Sequence, residues 1–325
     1  MSGAPSNPGP IAEGREVASR YPFSPYPNGW FRAAYSHELE VGQVRTLRFF
    51  GREFVLYRSE SGEARVIDPH CPHLGAHIGY GGAVVGDHIR CPFHHWEFDG
   101  EGVCRNIPYA KRIPARARIR AWPVVEQSGL IFFHHDRDGH PPAFELPDVP
   151  EIRDPAWLPL HVMHWTVRAS WLDMNENSVD QAHFRFIHGT LTIPPTTARI
   201  EGHVHIAESV FTMKVPGGEG QTKLVTLDYG PGMQLVRMTG LIDTLMINTS
   251  TPIDAENTDV SFAYTVRTEG DTRKQHLADA IVKDLKEQFE HDRPIWEHKA
   301  HWTRPVLCDG DGPIATYRKW YAQFV

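Results

Sequence analysis

Charge of one sign, long apolar runs and cysteine are all scarce in this sequence, and each scarcity removes a class of function. The 33 basic and 40 acidic side chains leave a net charge of −7, which gives no basic surface for nucleic acid or an anionic membrane. No apolar run approaches the roughly 20 residues of a membrane-spanning helix. The opening Met1-Ser2-Gly3-Ala4-Pro5 lacks the apolar core of a secretory leader. Four cysteines in 325 residues are too few for a secreted disulfide scaffold, so a reducing, cytoplasmic setting is expected. A Gly-rich dinucleotide fingerprint between strand and helix is also missing, so the chain is not expected to collect a hydride itself. Histidine is the opposite case: there are 20, more than a core needs, and many fall in tight groups.

The chain divides by pattern. Residues 1–28 read as a flexible arm, rich in Pro, Gly, Ser and charge, with aromatics around Tyr21 and Phe23 pinning its end. Over 29–135, short alternating runs are broken by turn residues. Gln43–Phe50, Phe54–Tyr57, Ala64–Ile67, Ala117–Trp122 and Leu130–Phe133 are examples, and they predict a compact antiparallel β domain. Residues 136–160 hold six prolines and read as a linker. A second domain, 161–325, opens with the strand-like run His161–Ala169. Further strand-like runs follow, among them Ala198–Ile206 and Ser209–Val215, and a long helix from about Arg273 to Trp296 is the last clear element.

The β domain contains Cys71-Pro72-His73 and, after 17 intervening residues, Cys91-Pro92-Phe93-His94. Two thiolates and two imidazoles could bind zinc tetrahedrally. Zinc fingers, however, pair cysteine with cysteine and histidine with histidine, whereas here each loop offers one of each. That arrangement suits two irons, one held by both cysteines and the other by both histidines, as in a Rieske [2Fe–2S] centre. His77 and His95 lie outside the spacing and read as packing or hydrogen-bonding residues; Cys104 and Cys308 read as ordinary thiols.

The second domain has its own ligand set. In the stretch from Glu176 to His188, Asp180 and His183 stand at i and i+3, and His188 lies five residues further on. Five residues are about 140° round an ideal helix. Both imidazoles can meet one ion only if the helix is distorted or ends near His188, where Gly189 is a plausible stop. The alternative is a core helix with two satisfied histidines. Two histidines and a carboxylate with open positions describe a non-haem Fe(II) site. The long helix supplies the carboxylate: with Leu277 at zero, its apolar stripe centres near 70° and Asp292 falls at about 60°, on the buried face. A buried carboxylate needs a metal or a cation such as Arg293. Asp284, at the stripe's edge, is the reserve candidate, and Pro294 is expected to kink the helix.

With both ligand sets in view, the chain resembles the Rieske non-haem iron oxygenases. The motif Asp-x₂-His-x₄-His is matched by Asp180, His183 and His188. Segments beginning at Asn106, Glu201, Phe289 and Pro305 are most similar to the oxygenase components of 3-ketosteroid 9α-hydroxylase and to the Rieske cholesterol 7-desaturases. The family's iron-binding aspartate falls on Asp292. The resemblance implies an α+β chain: an antiparallel β Rieske domain, then a helix-grip (START-like) catalytic domain with an antiparallel sheet and a long C-terminal helix. It implies a terminal oxygenase using O₂ and NAD(P)H electrons delivered by a separate ferredoxin or flavin reductase. It further implies an apolar polycyclic substrate such as a steroid or sterol, hydroxylated or else desaturated or demethylated. A head-to-tail homotrimer is implied too, in which Asp180 bridges a neighbour's Rieske histidine and His183. Two readings from other classes compete, a Rieske electron-transfer protein and a zinc-containing lipid-binding protein.

Overall fold

The computed structural model describes residues 19–325 except 216, 217 and 241, and the side chains of 213–219 are left aside. Most of the expected N-terminal arm lies outside these residues. Its described end is fastened to the second domain: the Arg20 guanidinium donates to the Glu297 carbonyl (2.9 Å) and the Asn28 N–H to the Phe324 carbonyl (2.8 Å).

Three small antiparallel sheets form the first domain. One joins Gly29–Tyr35, Leu130–His135 and Val124–Gln127, a second runs from Val44–Phe49 through Arg52–Arg58 and Ala64–Ile67 to Ala121–Trp122, and a third carries Ala83–Val85, His88–Arg90, Glu97–Phe98 and Cys104–Asn106. The run expected as a strand over Ala117–Trp122 is a strand only at its last two residues. Ala117 and Ile119 still alternate inward, but their backbone bonds go to turns and to the loop at Gly102 and Cys104, not to a ladder. A period of two in burial therefore arose without a strand.

The second domain is built on a seven-stranded antiparallel sheet. Its strands lie in the order His161–Val167, Thr258–Val266, Thr244–Pro252, Met233–Thr239, Gly218–Tyr229, Val204–Val215 and Thr196–Glu201. The sequence run Ala198–Ile206 is two strands, because Gly202 and His203 form a tight turn that pairs Glu201 with Val204. Four helices complete the domain: α1 (Trp171–Asn175), α2 (Gln181–Phe186), α3 (Thr272–His298) and α4 (Ile314–Tyr321). Helix α3 runs unbroken through Pro294. It lays Ala278 on Val236, Met246 and Tyr264 of the sheet, and further along brings Phe289 and Trp296 against Trp171, Tyr317 and Trp320. Burying each of these large side chains contributes about 1.5–3 kcal/mol. The domains share a core, in which Trp30, Tyr35, Leu130 and Phe132 of the first pack on Leu235, Leu245 and Ile247 of the second.

Candidate metal centres

The two Cys/His loops have one backbone design. Cys71 N–H donates to the Ala76 carbonyl and Gly75 N–H returns to the Cys71 carbonyl; Cys91 N–H donates to Trp96 and His95 N–H returns to Cys91. In each loop the fourth residue past the cysteine is left-handed, Gly75 at φ +76° and His95 at φ +58°. Glycine takes that conformation without a Cβ penalty, and histidine is among the few others enriched in it. Both thiols consequently point inward and are buried. Burial, with Cys91 alongside, pushes the Cys71 thiol up to about 12, so a metal must displace its proton on binding. His73 lies flat on Trp96, centroids 4.7 Å apart, and meets His94 edge-on at 4.6 Å. The His73 Nδ1 is buried with no hydrogen-bond partner among the described residues, a need that metal ligation would satisfy.

The donors also discriminate between metals. A single tetrahedral zinc, with bonds of about 2.0–2.3 Å, needs its donors within about 4 Å of each other. Among the described residues, only two sets of three or more His, Cys, Asp or Glu donors fall within 4.8 Å, and neither includes these loops. No three of these donors converge as a lone tetrahedral ion requires, and each loop offers one thiol and one imidazole, the ligand set of a two-iron Rieske cluster. Outside the motif, His77 Nε2 lies 3.2 Å from Glu53, Cys104 is buried and Cys308 exposed.

One of the two converging sets is His183, His188 and Asp292. The stretch expected as one helix is divided: α1 gives way to a 3₁₀ turn over Glu176–Ser178, and Asp180 is the N-cap of α2. Its carboxylate accepts from Ala182 N–H (3.1 Å) and His183 N–H (3.3 Å), satisfying donors that a helix start leaves free. The Asp180 carbonyl, rather than its carboxylate, accepts from His183 Nδ1 within the chain. That contact fixes the ring and leaves Nε2 uncommitted. Helix α2 then ends at Phe186, and Gly189 takes a left-handed φ of +69°, so the five-residue gap is bridged by the helix terminating. His188 Nε2 comes to 3.2 Å from Asp292, while its Nδ1 is buried without a hydrogen-bond partner among the described residues. Burial holds the His183 imidazole below its ordinary pKa. Arg293, the alternative partner for Asp292, turns instead to Glu297 (3.1 Å) and Glu290 (3.8 Å). Asp284 is exposed and accepts from Gln288 at 2.6 Å. A buried carboxylate, two largely desolvated imidazoles and, among the described residues, no lysine or arginine paired with Asp292 fit a divalent ion. The other converging set, Asp136, Asp138 and His140, is an ordinary turn in which the Asp136 carboxylate accepts from both following N–H groups.

This cluster opens on a cavity of about 560 Å³ between α3 and the sheet, walled by Leu224, Val236, Met246, Phe262 and Phe289. The size is that of a small-molecule site.

Sequence reasoning missed what holds Asp180 in place. Gln181 Nε2 donates to the Gly310 carbonyl at 3.0 Å, and Gly312 lies so close to Val179 that a Cβ would overlap its carbonyl. The local signal was only a glycine-containing run over 309–312, which reads as a turn. Gly312→Ala is expected to cost about 1–3 kcal/mol and to displace the Val179–Gln181 turn; thermal melts together with bound iron per chain measure both effects.

Comparison with known proteins agrees with this architecture. Residues 29–123 match the Rieske [2Fe-2S] domain and residues 133–325 the 3-ketosteroid 9alpha-hydroxylase C-terminal domain. A probable 3-ketosteroid-9-alpha-monooxygenase oxygenase component of Rhodococcus rhodochrous is 32% identical over 92% of this chain and 80% of its own length. The cholesterol 7-desaturase of Xenopus laevis is 31% identical over 92% of this chain and 72% of its own. The crystal structure of dicamba monooxygenase bound to dicamba superposes with a TM-score of 0.73 at 20% identity, covering 91% of this chain and 96% of that one; this likeness speaks to fold. Two adjoining family matches that together span nearly the whole chain, and full-length relatives at this identity, place the protein among the Rieske non-haem iron oxygenases, in the group with a 3-ketosteroid 9α-hydroxylase C-terminal domain.

Proposed function

We propose that this chain is the terminal oxygenase of a multicomponent monooxygenase that hydroxylates an apolar polycyclic compound of the steroid or sterol class. The observation that carries the proposal is the convergence of His183, His188 and Asp292 at the edge of a largely apolar cavity of about 560 Å³. In this reading Cys71, His73, Cys91 and His94 hold the [2Fe–2S] cluster, and His183, His188 and Asp292 hold a mononuclear Fe(II). When bound, the two centres supply O₂ activation and the electrons it consumes. Overall, R–H, O₂, two electrons and two protons become R–OH and water.

The protein's own residues do the positioning. The Asp180 carbonyl orients His183 through Nδ1, and Asp292 contributes the negative charge that favours a dication. Phe262, Phe289 and their neighbours enclose the substrate and exclude water. The Asp180 carboxylate, at the start of α2, is the group that would accept from a Rieske histidine of a neighbouring subunit. Two apolar surfaces favour a head-to-tail trimer. Leu74, Phe93 and Tyr109 are exposed around His73 and His94, and Phe186, Trp302 and Val306 are exposed on the catalytic domain. Different patches on one chain make a heterologous contact, which closes into a ring where its rotation divides a full turn. Cys104 and Cys308, outside the cluster motif, form no disulfide, which suits a reducing, cytoplasmic location.

Electrons must come from a separate reductase. The segment after Tyr109 favours an acidic one: Lys111, Arg112, Arg116 and Arg118 are exposed, form no ion pair among the described residues, and have no acidic residue between them. Reversing Lys111, Arg112 and Arg116 to glutamate is expected to slow donor-dependent reduction about tenfold at low salt. Reduction by dithionite should be unchanged, and stopped-flow bleaching of the cluster reads both. The reading as a whole is tested by incubating the iron-loaded protein, a surrogate ferredoxin and reductase, and a panel of steroids and sterols. A gain of one oxygen atom in mass is expected. Loss of two hydrogens would instead assign desaturation, the chemistry for which the Xenopus laevis relative is named, and no mass change across the panel overturns the substrate class.

A further inference from the structure

One line of side chains crosses the catalytic sheet in exact cross-strand register: His205 opposite Asp228, Asp228 opposite Gln234, Gln234 opposite Asn248, and Asn248 opposite Phe262. The first four are joined by hydrogen bonds. His205 Nδ1 lies 2.8 Å from Asp228 Oδ2, Gln234 Nε2 donates to Asp228 Oδ1 at 2.7 Å, and Asn248 Nδ2 donates to Gln234 Oε1 at 3.0 Å. His205 and Asp228 are wholly buried, whereas Gln234 and Asn248 line the cavity beside Phe262. At the cavity end the line stops unpaired: Asn248 is 8% exposed, and its Oδ1 is buried with no hydrogen-bond partner among the described residues.

The direction of this line is set by chemistry. An amide can turn over at little cost when its surroundings offer both donors and acceptors. Here the Asp228 carboxylate, flanked by the His205 ring, accepts at both oxygens, so the Gln234 amide must present its NH₂ to Asp228 and its oxygen to Asn248. Asn248 must in turn present its NH₂ to Gln234, and its own oxygen is left for the cavity. Turning Asn248 over would set two carbonyl oxygens against each other, and Gln234 cannot follow without opposing Asp228. The buried His205–Asp228 pair therefore dictates, two residues away, that Asn248 meets the cavity as an acceptor.

We propose that this row is a polarity relay that selects a substrate bearing a hydrogen-bond donor, an alcohol hydroxyl, in preference to the corresponding ketone. The proposal rests on the cavity being the substrate site and refines the substrate class. A hydroxyl satisfies the orphaned Asn248 oxygen; a ketone brings a second acceptor to it and leaves that oxygen unpaired, in a stretch of wall that also carries Thr226 and Ser250. Asn248 is the specificity residue, and Gln234 and Asp228 are positioning residues that act through it.

The test is equilibrium binding, which needs no turnover. Quenching of tryptophan fluorescence is titrated with a steroid pair identical except for alcohol against ketone at one ring carbon. The wild-type protein is expected to bind the alcohol about tenfold more tightly or better. Asn248→Leu should remove the preference by weakening the alcohol while leaving the ketone within about twofold, with a thermal melt establishing that the variant is folded. Asn248→Ser, whose hydroxyl can donate or accept, should bind both members about equally and covers the case in which leucine does not fit. Equal or tighter ketone binding by the wild type, or a preference unchanged in both variants, overturns the relay and leaves the oxygenase reading standing. Binding of neither steroid overturns the substrate class and the relay with it.

Discussion

Asp292→Asn is expected to lower bound iron from about three to about two atoms per chain, leave the Rieske signal of the reduced protein unchanged, and abolish product formation. The substitution keeps the side chain's shape and removes only its charge. In the wild type, Fe(II) at about a hundredfold over its dissociation constant should add about 2.7 kcal/mol of stability; in the variant it should add almost none. Asp292 sits on the buried face of α3 with His188 at 3.2 Å and with Arg293 paired elsewhere. If it served a structural ion pair instead, the variant would lose stability without iron and still respond to it. Calorimetry with and without Fe(II), beside metal analysis, distinguishes the two.

Asp180→Asn should behave in the opposite way, keeping both metals and losing turnover. The Asp180 carbonyl that orients His183 is untouched by the change, and an asparagine side chain can still cap α2 through its oxygen. What is removed is a charge able to accept from a histidine across the proposed subunit contact. Loss of an outer partner of this kind typically costs about 10–100-fold, and the loss should fall on transfer of electrons from the reduced cluster, measured in a single turnover as the rate of cluster reoxidation with substrate and O₂ present. A variant that reoxidises at the wild-type rate would remove Asp180 from the route. Gly312→Ala disturbs the same turn sterically and should lose bound iron as well, which separates displacement of the turn from loss of its charge.

Much of the architecture was legible because it follows from local rules. Alternation and turn residues located most strands; where they failed, at Ala117–Trp122 and Ala198–Ile206, the cause was an alternation in burial without a ladder and a two-residue turn too short to break the pattern. Helical periodicity alone put Asp292 on the inner face of α3, which is where it lies. It could not divide the stretch around Asp180 into a 3₁₀ turn and a capped helix. That division depends on the Asp180 cap and on the backbone of Val179 packing against Gly312, more than a hundred residues away.

By itself the sequence determined the two-domain order, the Cys/His loops, the pair His183 and His188 on and just past α2, and the candidate carboxylate, since each depends on residue type and short spacing. Only the tertiary structure decided that His183, His188 and Asp292 converge at one end of an apolar cavity. It alone decided that Arg293 looks away, and that His205, Asp228, Gln234 and Asn248 form a single row. The reason is register: which residues face one another across a seven-stranded sheet is set by every turn and pairing between them, and no window of sequence contains that sum.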